Sequence, residues 1–272
     1  MSPLTEPTKL TLAKGQPVPN DPYLYTNTVL LLHGDGANGS TNIVDSSRVA
    51  GSPKVVTPVG NAQISTAVAD PFGNTTRGVI AFDKVVDRLT LAASPDLAFG
   101  TGDFTVEFWM YSRDVSSATQ RGMLQTSDTS GGLKTTYTSG IVLHQGAGLA
   151  GGSNLNGGLV ALIVGSRLGS NTPVLSLNTW HHIALSRSSG LTRLFCDGIL
   201  HSSATISGSI DGQNLVVGGY YDPGSLFDGY IDDLRITKGV ARYVEGTGAN
   251  AGKMVFAGTN TPALPTAPFP DF

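Results

Sequence analysis

Residues 103–110, 179–187 and 227–236 alternate apolar and polar side chains at a period of two. That is the spacing at which successive strand residues point to opposite faces of a sheet. In the first stretch Phe104, Val106, Phe108 and Met110 share one face, and Thr105, Glu107, Trp109 and Tyr111 share the other. Both faces are largely apolar or aromatic, as in a strand covered on both sides. In the second, Trp180, His182, Ala184 and Ser186 alternate with His181, Ile183, Leu185 and Arg187. In the third, an unbroken strand puts Tyr230, Asp232, Leu234 and Ile236 in one phase and Ile231, Asp233 and Arg235 in the other. Shorter runs at 28–33, 77–83, 87–92, 141–144, 158–164 and 214–218 predict further strands. Residues 180–206 predict a meander with turns at 188–190 and at Asp197-Gly198. Asp-Gly suits a type I′ hairpin because both central residues need positive φ. Only residues 94–99 predict a helical turn, with Ser94 as cap and Pro95 at the first helical position. Many short strands with no amphipathic helices between them predict an antiparallel sandwich or jelly roll and disfavour a doubly wound α/β fold.

Composition agrees with an all-β chain. Charged residues make up 14% of it, and glutamate occurs only at Glu6, Glu107 and Glu245, so material for solvated helices is scarce. A net charge of -3 gives no basic footprint for nucleic acid or an anionic membrane. No apolar run approaches the roughly 18 residues of a bilayer span, and the N-terminus lacks a signal-peptide core. A soluble chain made in a cytoplasm is therefore expected. Cys196 is the only cysteine, so no intramolecular disulfide forms, and its strand setting predicts a small buried thiol. Residues 1–24 carry Pro3, Pro7, Pro17, Pro19 and Pro22, and residues 244–272 are rich in Gly, Ala, Thr and Pro. Both ends predict extended arms flanking a domain at 25–243. Such ends stay disordered unless a neighbouring subunit or the protein's own surface pins them.

The three alternating stretches, in this order and with these residues, resemble the laminin G-like, concanavalin A-like jelly-roll domains. Further segments resemble a subset found in structural proteins of tailed bacteriophages: the opening Val29-Leu-Leu-Leu-His-Gly-Asp-Gly36, the ending Ile236-Thr-Lys-Gly-Val-Ala-Arg-Tyr243, and the tail Pro265-Thr-Ala-Pro-Phe-Pro270. The resemblance implies a concanavalin A-like (laminin G-like) antiparallel β-sandwich jelly roll with extended N- and C-terminal arms. It also implies a non-enzymatic virion protein, a capsid decoration, tail or fibre component. Its partners would be other virion proteins and copies of itself, clasped by the arms. Removing residues 1–22 and 250–272 is then expected to leave a folded domain that no longer joins particles. The alternative is a carbohydrate-binding adhesin or receptor-binding protein of the virion that reads a host-surface glycan.

The fold also hosts polysaccharide-cleaving enzymes, which the residues disfavour. Glucanases of this fold set paired carboxylates on one strand as Glu-x-Asp-x-x-Glu, and retaining chemistry needs them about 5–5.5 Å apart. Here Glu107 is the only glutamate inside 25–243, with only Asp103 as an acidic companion on its strand. It is expected to pair with an arginine or to lie at an edge. Gly34-Asp-Gly-Ala-Asn-Gly39 fits G-x-G-x-x-G, but a loop follows it where a dinucleotide site needs a helix. No G-x-S-x-G elbow is present. His181 and His182 point to opposite faces, one expected buried and one exposed. Members of the resembled family often carry calcium, and the oxygen donors here would be Asp35, Asp45, Asp232 and Asp233. Asp232, facing the core if its strand is regular, needs either a metal or hydrogen-bond donors from Arg235, a loop amide or a tyrosine. A glycan rim is expected at Tyr137, Tyr220, Tyr221 and Asp222, beside the Gly/Ser-rich loops, while Trp109 and Trp180 are expected in the core.

Overall fold

The structure is a computed structural model that describes residues 25–49, 53–116, 120–127, 140–147, 154–219 and 225–270. The N-terminal arm at 1–24 and the rim residues Tyr137, Tyr220, Tyr221 and Asp222 lie outside these. The strands in chain order begin with β1 (Thr28–Leu32), β2 (Val56–Val59), β3 (Gln63–Ser65), β4 (Val79–Asp83), β5 (Arg88–Leu91) and β6 (Phe104–Ser112). Next come β7 (Arg121–Ser127), β8 (Ile141–Ala147), β9 (Asn154–Ile163), β10 (Ser166–Gly169), β11 (Trp180–Ser188) and β12 (Leu191–Cys196). The last are β13 (Ile199–Thr205), β14 (Asn214–Val217), β15 (Asp228–Lys238), β16 (Tyr243–Glu245) and β17 (Met254–Phe256).

All pairings between these strands are antiparallel. One sheet runs β13-β12-β11-β6-β15-β4-β3, with β1 also on β15, and the other runs β10-β9-β8-β7-β14-β5-β2. The inner faces meet in one core, where Phe104, Val106, Phe108 and Met110 join Ile183, Leu185, Ile231, Leu234 and Ile236 from the first sheet. Met123, Leu143, Ala161, Leu215 and Val217 answer them from the second. Burying such side chains stabilises the fold by about 1.5–3 kcal/mol each. The meander forms as its turns predict: Ser189 and Gly190, then Asp197 and Gly198, all take positive φ. Residues Pro95–Leu97 make a 3-10 turn capped by Ser94, whose Oγ accepts from Asp96 N.

The structure resolves three expectations. First, β15 is not regular: its register on β6 slips between Asp232 and Arg235, and Asp233 has φ of 47°. This one-residue bulge puts Asp232 opposite Trp109 and Arg235 opposite Glu107, on the outer face, while Leu234 and Ile236 still face the core. Asp232 therefore does not share a face with Leu234. The bulge sits where β15 changes its second neighbour, from β4 along residues 228–231 to β1 along residues 234–237.

Second, the C-terminal segment folds onto its own sheet. Strands β16 and β17 form a small ladder, Met254 and Val255 are buried, and the chain then runs back as a strap to the buried ring of Phe269. Third, both His181 and His182 are buried, as His182 lies under Trp109 and Tyr243 on the outer face. Among the described residues no helix is long and apolar enough to cross a membrane.

Candidate functional site

The four carboxylates picked out for calcium separate into two places. Asp45 staples its loop: Oδ1 accepts from Leu31 N and Ser47 N, and Oδ2 accepts from Lys54 N. The other three gather where β1, β4 and β15 meet. Asp232 Oδ1 accepts from Gly34 N at 2.8 Å and from Asp233 N at 2.9 Å. Asp233 Oδ1 lies 2.5 Å from His33 Nδ1, and its Oδ2 accepts from Phe269 N. Asp35 is held by Arg77 Nε at 2.9 Å, while Arg77 Nη1 reaches Asp70. A loop amide is thus the donor that Asp232 finds. Backbone amides, an arginine and a histidine supply the countercharge and hydrogen bonds that a cation would otherwise bring. Burial first, and the Asp233 charge second, push the Asp232 carboxyl up to about 7. Gly34 closes this junction for a steric reason, since a Cβ there would stand 2.4 Å from Val79 Cα. The G-x-G-x-x-G run therefore serves close strand approach, and residues after it form no helix.

Glu107, fully buried, is the centre of a second network on the same outer face. Arg235 Nε donates to its Oε1 at 2.9 Å, Tyr243 Oη donates to its Oε2 at 2.7 Å, and His182 Nε2 stands 3.3 Å from Oε2. Burial would raise the Glu107 carboxyl, but the Arg235 charge and the neighbouring His182 and Arg242 hold it down at about 2. Arg242 spreads over Thr237 and Thr28. The Phe269 ring caps the Arg235 guanidinium at 3.5 Å. The arginine partner expected for Glu107 is present, and its oxygens are engaged by Arg235 and Tyr243. The Ala-Arg-Tyr ending and the Pro-Phe-Pro tail are the two sides of this clasp.

The unclasped end of the outer face is an aromatic groove, and it includes Trp180, which was expected in the core. Trp180, Tyr111 and Tyr230 lie side by side on β11, β6 and β15, with centroids 5.5 and 5.6 Å apart. Trp180 and Tyr111 are half-exposed. Tyr230, between Tyr111 and Arg113, is buried. One wall is the loop after Ala69, whose carbonyl accepts from Trp180 Nε1. Asp70 Oδ1 folds this loop by accepting from Phe72 N and Asn74 N, which seats Phe72 edge-on against Trp109. At the other end Arg113 stacks on Tyr230 at 5.2 Å, and Asp228 bridges Arg113 and Lys84 at 2.9 and 2.8 Å. The period-two phase of Tyr111 and Trp180 was the available signal, since they fall on the face opposite Phe108 and Ile183, whereas Tyr230 shares a phase with Leu234 and Ile236 in an unbroken strand and reaches this face through the bulge.

One cluster of three metal-type ligands exists among the described residues, His181, Cys196 and Asp197. It does not fit a metal. Ser176 N–H donates to His181 Nε2, so the ring proton sits on Nδ1, the nitrogen that faces Asp197. Burial also pushes the Cys196 thiol far up, away from the thiolate a metal needs.

Comparison with known proteins places this geometry in a wider set. No curated protein matches the chain. Among solved structures, the binding domain of Paraclostridial Mosquitocidal Protein 1 aligns with a TM-score of 0.57 at 16% identity, covering 80% of this chain and 50% of that one. Domain 4 of AbnA, a GH43 extracellular arabinanase from Geobacillus stearothermophilus in complex with arabinotriose, aligns at 0.55 and 16% identity, covering 79% and 93%. The binding domain of Botulinum Neurotoxin DC in complex with SialylT aligns at 0.52 and 15%, covering 79% and 49%. The chain thus spans about half the length of the toxin chains it matches. At these identities the likeness is one of fold. The profile of the concanavalin A-like lectin/glucanases superfamily matches residues 87–242, more than half of the sequence. The chain belongs to that superfamily.

Proposed function

We propose that this chain is a non-enzymatic glycan-recognition module and that the groove over Trp180, Tyr111 and Tyr230 is its binding face. The aromatic strip, in which Trp180 and Tyr111 are half-buried and reach the surface, carries the reading. Sugar rings present apolar C–H faces that stack on aromatic rings, and hydroxyls that take paired donors and acceptors. Arg113, Lys84 and Asp228 supply both kinds of group at the end of the strip. An arabinanase domain in complex with arabinotriose and a toxin binding domain in complex with SialylT, both of the same fold, support it by analogy. Against catalysis stands Glu107, which is buried and spent on Arg235 and Tyr243. We place the module on a tailed-phage particle, as a surface component that reads a host glycan, on the strength of the motifs at 29–36, 236–243 and 265–270. Mass spectrometry of purified particles tests that setting, and absence of the chain from them ends it.

A glycan array with the full chain, followed by titration of the best ligand, tests the recognition. Trp180→Ala is expected to weaken binding at least about tenfold, as loss of an aromatic anchor does, with Trp180→Phe retaining part of it. Absence of any glycan ligand, or a titration indifferent to both Trp180→Ala and Tyr111→Ala, would sink the reading.

A further inference from the structure

A cavity of about 480 Å³ opens at the sandwich edge, where β10 of one sheet approaches β13 of the other. Val174, Ile199 and Leu200 give it aliphatic walls, and Asp197 and His201 are its titratable groups besides the Cys196 thiol. The type I′ turn fixes Asp197 at the mouth: Oδ1 accepts from His182 N at 2.8 Å and Oδ2 from His181 Nδ1–H at 2.7 Å. These bonds hold the carboxylate without neutralising it. His181 is the neutral tautomer with its proton on Nδ1, because Ser176 N–H occupies Nε2. No lysine or arginine nitrogen stands within 4 Å of the Asp197 carboxylate among the described residues, and its side chain is 43% exposed. Desolvation would raise its carboxyl, but the bonds from His181 and His182 N outweigh it and lower it. His201 adds no opposing charge, since burial lowers its imidazole and Nε2 faces Leu159 O at 3.1 Å.

An uncompensated carboxylate beside an aliphatic slot is complementary to one chemistry. We propose that this cavity binds an alkylammonium group, the ammonium on Asp197 and the carbon chain along Val174, Ile199 and Leu200. A lysine side chain or a free amine presents that group. The site is separate from the aromatic groove and stands whether or not the groove binds glycan.

The test is a backbone-amide NMR titration of the full chain with n-butylammonium, using 1-butanol as the neutral isostere and N-acetyl-lysine methylamide as the peptide-borne form. Saturable shifts at Thr172, Ile199 and Leu200 are expected with butylammonium at about 1–50 mM, and none with butanol. Tighter binding of the lysine derivative than of butylammonium identifies a protein partner, and weaker binding a free amine. Asp197→Asn is expected to abolish the shifts. Because an amide turned toward His181 strains the turn, Ile199→Arg provides a second variant. It places a guanidinium at the mouth from a position 54% exposed, and it is expected to block the ligand in an otherwise unchanged spectrum. Equal shifts with butanol, retained binding in the Arg variant, or no shift at about 50 mM would each overturn the proposal.

Discussion

Glu107 and Asp232 lie on the same outer face, yet their surroundings push their carboxyls in opposite directions, to about 2 and about 7. Glu107 faces Arg235 and a tyrosine hydroxyl, whereas Asp232 faces a second carboxylate and keeps its Oδ2 buried without a partner. The consequences for stability have opposite signs. Glu107, depressed by folding, contributes stability that is present above the ordinary carboxylate range and is lost as pH falls toward 2. Asp232, raised by folding, holds a proton in the native state that the unfolded chain has released. Its contribution therefore fades as pH rises from about 4 to about 7. Asp232→Asn keeps an acceptor for Gly34 N and removes the charge. We predict that it raises the melting temperature at pH 8 by about 2–4 °C, and that the gain vanishes near pH 4. Thermal melts of both proteins across pH 4–8 measure it. A gain independent of pH would show that the charge of Asp232 is not what the substitution relieves.

At the scale of elements, the same pair of acids is a stitch: it holds the bulge of β15 against the end of β1 and the loop that carries Arg77. Each of the three carboxylates there already has protein donors. We therefore predict equal melting temperatures in millimolar calcium and in chelator, since a ligand bound only by the folded state would raise the value. A calcium-dependent rise would show that the cation displaces Arg77. The neighbouring strands β6 and β11 were legible in the sequence because Phe104 to Met110 and Trp180 to Arg187 keep a strict period of two. The bulge was not, because one inserted residue at Asp233 leaves alternation intact on either side while reversing its phase. Short strands such as β3 and β10 were equally hidden, with too few residues to show a period. For the site, the alternation set Tyr111 on the face opposite Phe108 and Trp180 on the face opposite Ile183, but an unbroken third strand grouped Tyr230 with Leu234 and Ile236, and only the bulge at Asp233 moves it to the outer face. The alternation could not reveal that the clasp covers one end of their face and leaves the other open, because that depends on contacts more than a hundred residues apart in sequence. The Glu107–Tyr243 bond spans 136 positions.

For the molecule as a whole, the C-terminal segment decides where the domain ends. Its proline-rich composition reads as an arm, but proline also suits a strap that crosses a sheet face without joining a ladder. Met254 and Val255 are buried, Val255 N and O pair across to Val244, and Phe269 closes over Arg235. Residues 250–270 therefore cover the Glu107–Arg235–Tyr243 network, and removing the segment opens a buried ion pair to water while exposing apolar side chains. Against the expectation that a chain lacking this segment keeps its fold, we predict a loss of about 3 kcal/mol or more. Rapid proteolysis near β16 and a melting temperature lower by at least about 6 °C would accompany it. The comparison that isolates the strap is Phe269→Ala in the full chain, which removes the ring over Arg235 but keeps β17. It should give an intermediate melt, and a truncated protein as stable and protease-resistant as the full chain would mean that the sheets alone are the domain and the clasp adds nothing to them.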